Sequence, residues 1–312
     1  MKNLFFAGAG READSSSLRS LEWQGVKEKQ QFPNDTPRRI LSASHPRPMD
    51  LQLEGKRALV TGSTAGIGYA IAEGLAKEGA TVIVNGRTSR RVDEALASLG
   101  KAGVRGKLGR LPADLGTAEG VRIAIEKYPD VDILVNNLGI FDPKPFEQIS
   151  DQEWMKFFEV NVLSGVRLSR HYLPRMEKRN WGRIVFISSE SAVQIPAEMI
   201  HYAMTKTAQL AISRGLAETT AGTGVTVNAV LPGPTASEGA NEFVTRMATS
   251  TKRSPAEVEQ EFFRSMRPTS LLRRFARPDE VAAMVTFVCS PLSSATNGAA
   301  LRVDGGVVRS IL

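Results

Sequence analysis

The chain has 312 residues, of which 42% are hydrophobic and 23% are charged. This composition supports a folded core and excludes a disordered chain, a collagen-like repeat and a disulfide scaffold, since Cys289 is the single cysteine. The net charge of +7 comes from basic residues scattered among acidic ones, so we expect a solvated surface and no nucleic-acid partner.

The first 48 residues differ from the rest of the chain. Prolines at positions 33, 37, 46 and 48 interrupt a stretch without helical or strand periodicity, so we expect a disordered N-terminal extension over 1–48. Met49, where the patterned sequence begins, is a candidate start of the protein. The first residues lack a secretory signal and no apolar run is long enough to cross a membrane, so we expect a cytoplasmic protein without a membrane partner.

From Lys56 onward, short β-branched runs alternate with amphipathic stretches. The runs are RALVT, TVIVNG, VDILVNN, GRIVFISS and VTVNAVLPG. Near-continuous apolar strands separated by helices are typical of a parallel sheet covered on both faces. We therefore predict one doubly wound α/β domain of the Rossmann type over 49–312, with a mostly parallel sheet.

The first of these strands ends in TGSTAGIG (61–68), directly before a predicted helix. Glycine lets the backbone turn sharply and approach a ligand closely, and the helix start offers free N–H groups to a pyrophosphate. The spacing is GxxxGxG rather than GxGxxG, and its position predicts a dinucleotide-binding turn. The candidate cofactor-binding residues are Gly62, Ser63, Thr64, Gly66, Ile67 and Gly68.

The second strand, TVIVNG, indicates which nicotinamide cofactor is preferred. An acid near the end of this strand binds the ribose hydroxyls of NAD, whereas an arginine accommodates the 2′-phosphate of NADP. No acid is present and Arg87 follows the strand, so we predict a preference for NADP(H), with NAD(H) as the alternative. Arg87 as an ordinary surface charge is the competing interpretation.

Tyr202 and Lys206 lie four residues apart in a helical stretch and therefore share one face. A phenol with a pKa near 10 is a poor base at neutral pH, and a neighbouring ammonium lowers that pKa. Tyr202 can then exchange a proton with a substrate hydroxyl or carbonyl while a nicotinamide exchanges a hydride. Ser188 and Ser189 end the strand GRIVFISS, where a hydroxyl can hold the substrate oxygen.

Together these motifs resemble the classical short-chain dehydrogenase/reductase family over nearly all of 50–312. The glycine turn matches TGxxxGxG, NNLG (136–139) resembles NNAG, and YAMTK (202–206) matches YxxxK. Further matches are Asn161 in EVNVLSG, Ser189 thirteen residues before Tyr202, Pro232 and Gly233 after VTVNAVL, and the closing NGAALRVDGG. By overall appearance the sequence is similar to 3-oxoacyl carrier-protein reductases.

The resemblance implies a role for each matching residue. The implied catalytic set is Asn161, Ser189, Tyr202 and Lys206. Asn161 would keep a helix distorted and hold a water of the proton relay, and Lys206 would also bind the nicotinamide ribose. The implied cofactor contacts are Asp114 and Leu115 at the adenine, Asn136 and Gly139 along the adenosine ribose, and Pro232, Gly233, Thr235 and Ser237 near the nicotinamide or phosphates. Leu138 stands where the family usually has Ala, so a bulkier side chain lies beside the adenosine pocket.

The segment 238–276 corresponds to the substrate lid of the resembled family. Its apolar residues either line a pocket or form the buried faces of two helices, and they include Phe262, Phe263, Met266 and Leu271. We expect an enzyme, an oxidoreductase that acts on a carbonyl or secondary alcohol, with a 3-oxoacyl thioester as one candidate substrate. The alternatives are an NAD-dependent sugar, steroid or other alcohol dehydrogenase and a non-catalytic dinucleotide sensor.

Other candidate sites are weaker. His171 and His201 have no acidic or cysteine partner at metal-ligand spacing, so no metal is predicted. Cys289 is interpreted as a small buried apolar residue. The resemblance further implies a homo-oligomer, a tetramer first and a dimer next.

Overall fold

A computed structural model describes residues 49–311, so the extension expected over 1–48 lies outside the described residues. In the described part, strands alternate with helices as the sequence predicts. The strands are β1 Arg57–Val60, β2 Thr81–Gly86, β3 Leu108–Pro112, β4 Ile133–Asn136, β5 Gly182–Ile187, β6 Val225–Pro232 and β7 Ala300–Val303. The helices are α1 Gly66–Lys77, α2 Ser89–Lys101, α3 Ala118–Lys127, α4 Asp151–Phe158, α5 Ser164–Lys178, α6 Ile200–Thr219, α7 Glu238–Thr251, α8 Pro255–Ser265 and α9 Pro278–Val288.

The seven strands form one sheet in the order β3-β2-β1-β4-β5-β6-β7, and every pair is parallel. In the register, Leu59 of β1 lies between Ile83 of β2 and Leu134 of β4. The chain reverses its direction of winding between β1 and β4, and ligands of such sheets bind in the crevice at that point, outside the carboxyl ends of the strands. The prediction of a doubly wound α/β fold is confirmed.

Successive strand residues enter two different apolar layers. Ala58 and Val60 pack with α1, α2 and α9, whereas Leu59 packs with α3, α5 and α6 on the opposite face. Side chains of a strand alternate between its two faces, so a strand buried on both must be apolar at every position. This explains the uninterrupted apolar runs of the sequence.

The segment after β6 leaves the sheet, forms α7 and α8, and returns to the place where it started. Thr235 and Ala276 form an isolated parallel bridge, in which Ala236 N donates to Ala276 O at 2.8 Å and Ala276 N donates to Pro234 O at 2.9 Å. The two ends of the segment predicted as a lid are thus hydrogen-bonded to each other. Among residues 49–311, no helix has the length and apolar character needed to cross a bilayer.

Candidate active site

The glycine turn between β1 and α1 depends on backbone conformations and contacts that other residues disfavour. Gly62 and Gly66 have φ values of +61° and +57°, in the left-handed region that favours glycine. A Cβ at Gly68 would stand 2.3 Å from the carbonyl oxygen of Gly62, so a side chain there would break the turn. These glycines therefore let the backbone fold tightly at the switch point of the sheet.

Asn85, the fifth residue of β2, holds the turn in place. Its Oδ1 accepts a hydrogen bond from Gly62 N at 3.0 Å, and its backbone N–H donates to Ser63 Oγ at 2.9 Å. Ser63 Oγ donates in turn to Val60 O at 2.7 Å, so this buried hydroxyl is occupied inside the protein. The sequence analysis did not assign Asn85 a role, although a lone amide in an apolar strand was a signal for one.

The first turn of α1 is arranged to accept an anion. The side chain of its N-cap, Ala65, makes no hydrogen bond to the helix, and the turn contains no acidic residue. By contrast, Thr88 and Ser237 cap α2 and α7 with their side chains. The N–H groups at the start of α1 are thus left for a ligand, and the positive end of the helix dipole favours a phosphate. The residues of the turn fit an anionic dinucleotide.

Arg87 lies beside this turn. A Cβ at the preceding Gly86 would stand 2.5 Å from Thr64 Cγ2, so the end of β2 touches the glycine turn. The Arg87 side chain is exposed and has no ion-pair partner within residues 49–311. Arg91, one turn further along, instead pairs with Glu238 of α7 at 2.8 Å.

Asn136, a predicted adenosine contact, and its neighbour Asn137 differ in how they face the cleft. Asn136 is buried, and its Nδ2 donates to Ser169 Oγ of α5 at 3.3 Å. Asn137 instead lines the cavity described below and donates through Nδ2 to Thr61 O and Gly62 O, at 2.9 and 3.1 Å. The roles proposed for Asn136 and Gly139 at the ribose remain predictions.

Further along the predicted adenine side, Asp114 is exposed and Leu115 is buried in the core. Asp114 Oδ1 accepts from Gly116 N at 3.0 Å. Leu138, where the resembled family usually has Ala, lies over Gly62 and packs against the core layer of α3, α5 and α6. Its extra bulk is therefore partly taken up by the core.

A cavity of about 280 Å³ opens at the carboxyl ends of the strands beside the glycine turn. Most of the predicted site residues from Gly139 onward meet there. They are Gly139, Ser189, Tyr202, Lys206, Pro232, Gly233, Thr235 and Ser237, and Ile67 joins them from α1. Ser188 also lines the cavity, but its hydroxyl donates to Lys206 O at 2.9 Å and so serves the packing of α6 on β5.

Tyr202 and Lys206 stand on one face of α6, as their spacing predicts. Lys206 is buried, and its Nζ donates to Ile187 O at 2.8 Å and to Gln209 Oε1 at 3.3 Å. The ammonium lies 5.6 Å from the centre of the Tyr202 ring. Burial lowers the pKa of Lys206 to about 7.

The structure does not show the expected lowering of the Tyr202 pKa. Burial raises the pKa of Tyr202 well above its ordinary value and the negative charge of Glu190 raises it further, while the nearby Ser189 hydroxyl opposes both effects. The Lys206 ammonium is bonded to a carbonyl and an amide instead of the phenol.

Ser189 is tied to a buried charge cluster that the sequence analysis missed. Its Oγ donates to Glu190 Oε2 at 2.5 Å, and Glu190 Oε1 accepts from Arg267 Nε at 3.3 Å. Arg267 Nη1 also donates to Glu198 Oε1 at 3.2 Å. All three charged residues line the same cavity as Tyr202. An acidic residue right after the predicted strand GRIVFISS was a sequence signal for Glu190. No motif in the sequence around Arg267 indicates its role.

Asn161 lies in a π-helical turn, Glu159–Leu163, that joins α4 to α5. Its Nδ2 donates to Ile140 O and to Thr205 Oγ1, both at 3.0 Å, and its Oδ1 accepts from Ile140 N at 2.8 Å. The side chain therefore ties the loop after β4 to α6. The distortion implied by the resemblance is present, and π-helical turns are frequent at functional sites.

The lid residues divide between the two interpretations left open by the sequence. Phe262 of α8 and Met266, the C-cap of this helix, line the cavity, whereas Phe263 is buried in helix packing and Leu271 is 84% exposed.

Cys289 is buried, which raises the pKa of its thiol to about 12. Within residues 49–311, no group of histidine, cysteine and acidic side chains is placed to hold a metal ion.

Comparison with known proteins agrees with this geometry. Residues 56–248 match a protein family described as short chain dehydrogenase. The chain is 52% identical to the uncharacterized oxidoreductase YvaG of Bacillus subtilis, over 84% of this chain and 100% of the relative. It is 36% identical to the 3-oxoacyl-[acyl-carrier-protein] reductase FabG of Aquifex aeolicus, over 83% of this chain and 100% of the relative.

Solved structures show the same likeness. The L-sorbose reductase of Gluconobacter frateurii, complexed with NADPH and L-sorbose, superposes with a TM-score of 0.80 at 32% identity. That match covers 84% of this chain and 100% of the reductase.

Proposed function

Since the chain belongs to the short-chain dehydrogenase/reductase family and is an NAD(P)-dependent oxidoreductase, we propose that it transfers a hydride between NADP(H) and a carbonyl or secondary alcohol. The family predicted from the motifs is confirmed, as is the likeness to 3-oxoacyl carrier-protein reductases. The observation that carries the proposal is the meeting of Ser189, Tyr202 and Lys206 in one cavity beside the glycine turn.

The proposed mechanism assigns each step to a side chain of this protein. A bound nicotinamide supplies or accepts the hydride. The hydroxyls of Ser189 and Tyr202 hold the substrate oxygen, and Tyr202 gives it a proton in reduction or takes one in oxidation. Lys206 stabilises the phenolate form of Tyr202 by its positive charge when the two groups approach. Asn161 supports this arrangement by fastening the loop after β4 to α6.

The preference for NADP(H) is supported by the end of β2. Arg87 is exposed beside the glycine turn, has no ion-pair partner within the described residues, and is not accompanied by an acid at the end of the strand. A guanidinium in that place can form charge-assisted hydrogen bonds with a 2′-phosphate. Comparing kcat/KM for NADPH and NADH tests the preference, and a higher value for NADH would contradict it.

A ketone that carries further hydroxyl groups is a second candidate substrate beside a 3-oxoacyl thioester. The specific observation is the carboxylate of Glu190, which lines the cavity next to Ser189 and is compensated by Arg267. A carboxylate offers about four acceptor positions, so Glu190 can accept a hydrogen bond from a substrate hydroxyl close to the reacting carbon. The aliphatic part of an acyl chain offers no such donor.

A substrate panel tests both candidates. Acetoacetyl-CoA represents the thioesters, L-sorbose the hydroxylated ketones and a 7-oxo bile acid the steroids, each with NADPH and with NADH. The absorbance of the reduced nicotinamide reports turnover. Consumption of NADPH with one of these carbonyl classes supports the proposal. Tight binding of NADPH without turnover of any of them would favour a dinucleotide sensor.

Assembly and location complete the proposal. By family resemblance we propose a homotetramer, with a dimer as the next alternative. From the sequence itself we propose that the protein works in the cytoplasm. Light scattering of the purified protein at micromolar concentration tests the assembly, and a monomer mass would contradict it. Fractionation of the producing cells tests the location.

A further inference from the structure

Lys206 occupies a position that a lysine can keep only with strong partners. It is 4% exposed, and an ammonium removed from water loses its hydration. No carboxylate within residues 49–311 pairs with it, so its compensation comes from neutral oxygen atoms. One of these is the carbonyl of Ile187 at the end of β5, and the other is Oε1 of Gln209, three residues further along α6.

Gln209 is itself buried and uses both ends of its amide. While Oε1 accepts from Lys206, Nε2 donates to the backbone carbonyl of Asn161 at 2.6 Å. That carbonyl lies inside the π-helical turn, where the regular pairing of backbone groups is shifted. The side chain of Gln209 thus connects the lysine of α6 to the distorted turn that carries Asn161.

The orientation of this amide follows from its neighbours. With oxygen and nitrogen exchanged, an NH₂ group would face the ammonium and an oxygen would face a carbonyl oxygen, and both contacts would be repulsive. Glutamine at this place offers one acceptor and one donor in the order required. Leucine would offer neither, and an ionised glutamate would offer acceptors alone.

We propose that Gln209 is a positioning residue for Lys206, whose side-chain amide ties the ammonium to the carbonyl of Asn161 and so fixes the lysine at the floor of the cavity. The inference rests on the proposed function, in which Lys206 stabilises the phenolate of Tyr202.

The surroundings of Lys206 determine what a titration of it reports. Tyr202 on the same helix is a titratable group that faces it, and Glu190 lies in the same cavity. From β5 and from the loop after β4, Lys206 meets the carbonyl of Ile187 and the backbone of Gly139. None of these groups is removed by a substitution at Gln209.

The test is an NMR titration of the full-length protein with ¹³C-labelled lysine, in which the signal of Lys206 is identified by its loss in Lys206→Met. Gln209→Leu removes an acceptor from a charged donor, so the titration midpoint should fall by about one to two pH units. Gln209→Glu places a negative charge beside the ammonium, so the midpoint should rise. Ser213→Ala is the matched control, because Ser213 is buried one turn further along α6 and its Oγ has no partner within the described residues.

The kinetic counterpart uses the carbonyl substrate that the panel identifies. In the reduction direction, loss of the lysine charge ends activity as the pH rises, so this decline should move to lower pH in Gln209→Leu and to higher pH in Gln209→Glu. A merely structural glutamine would lower activity at all pH values without moving the decline.

Equal midpoints in wild type, Gln209→Leu and Gln209→Glu would overturn the proposal. If Gln209→Leu does not fold, Gln209→Met, which keeps the length of the side chain, replaces it, and an unchanged midpoint in the Glu variant is sufficient to reject the idea. The titration needs neither cofactor nor substrate. Its failure is therefore separate from a failure of the proposed function, which the substrate panel would reveal.

Discussion

Ser189 donates a 2.5 Å hydrogen bond to the carboxylate of its sequence neighbour Glu190, and both side chains line the cavity that holds Tyr202. The single proton of the serine hydroxyl is thus engaged by this carboxylate. In the proposed mechanism, a substrate oxygen that accepts this proton therefore competes with Glu190 for it. After burial, the charge of Glu190 is the largest cause of the raised pKa of Tyr202.

Glu190→Gln should lower the pKa of Tyr202, since it removes a negative charge that opposes formation of the phenolate. In the oxidation direction activity rises as Tyr202 loses its proton, so the rising limb of the pH profile should move to lower pH by about one unit. Glu198→Gln is the control, because Glu198 shares Arg267 but makes no hydrogen bond with Ser189. An unmoved limb in Glu190→Gln would show that this carboxylate does not tune the phenol.

Arg267→Met should destabilise the fold. Arg267 and Glu190 are both almost fully buried, and removal of the guanidinium leaves a buried carboxylate with its charge uncompensated. Such a change costs about 3 kcal/mol or more in the free energy of unfolding, measured by urea denaturation. Arg264→Met is the control on α8, where the ion pair with Glu261 is exposed to water and contributes little to stability. Similar losses in the two variants would contradict the prediction.

Arg87→Ala should raise the KM for NADPH and leave the KM for NADH nearly unchanged. A charge-assisted contact with the 2′-phosphate is worth about 1.5–3 kcal/mol, which corresponds to roughly ten- to a hundredfold. Arg90→Ala provides the matched control. Arg90 lies only three residues after Arg87, but it pairs with Glu94 on the surface of α2. An equal rise for both cofactors would mean that Arg87 supports the fold.

Tyr202→Phe keeps the ring and removes the hydroxyl, so the protein should fold and bind NADPH while turnover falls. General acid–base catalysis typically contributes about 10²–10⁴ in rate, and a loss in this range is expected. Lys206→Ala should lower turnover and also weaken cofactor binding, because its ammonium serves both the phenol and the ribose. Steady-state kinetics together with NADPH fluorescence titration separate the two effects. Retention of most activity in Tyr202→Phe would reject the mechanism.

The fold and several site residues of this protein could be predicted from its sequence, because they depend on the spacing of residues close together in the chain. The apolar runs predicted a parallel sheet, because a strand buried on both faces has to be apolar at every position. The glycine turn was predictable since it lies within eight consecutive residues, and Tyr202 and Lys206 were predictable as a pair because a helix brings residues four apart to one face.

Tertiary structure decided which polar groups surround these residues. Glu190 meets Arg267 across 77 positions, Gln209 meets the carbonyl of Asn161 across 48, and Asn85 reaches the glycine turn across 23. Such pairs depend on how strands and helices pack, and no periodicity in the sequence encodes them. The pKa of Tyr202 likewise depends on tertiary packing. The sequence placed a lysine near the phenol, but only the folded chain sets the burial and the Glu190 charge that raise this pKa, and it directs the Lys206 ammonium to other partners.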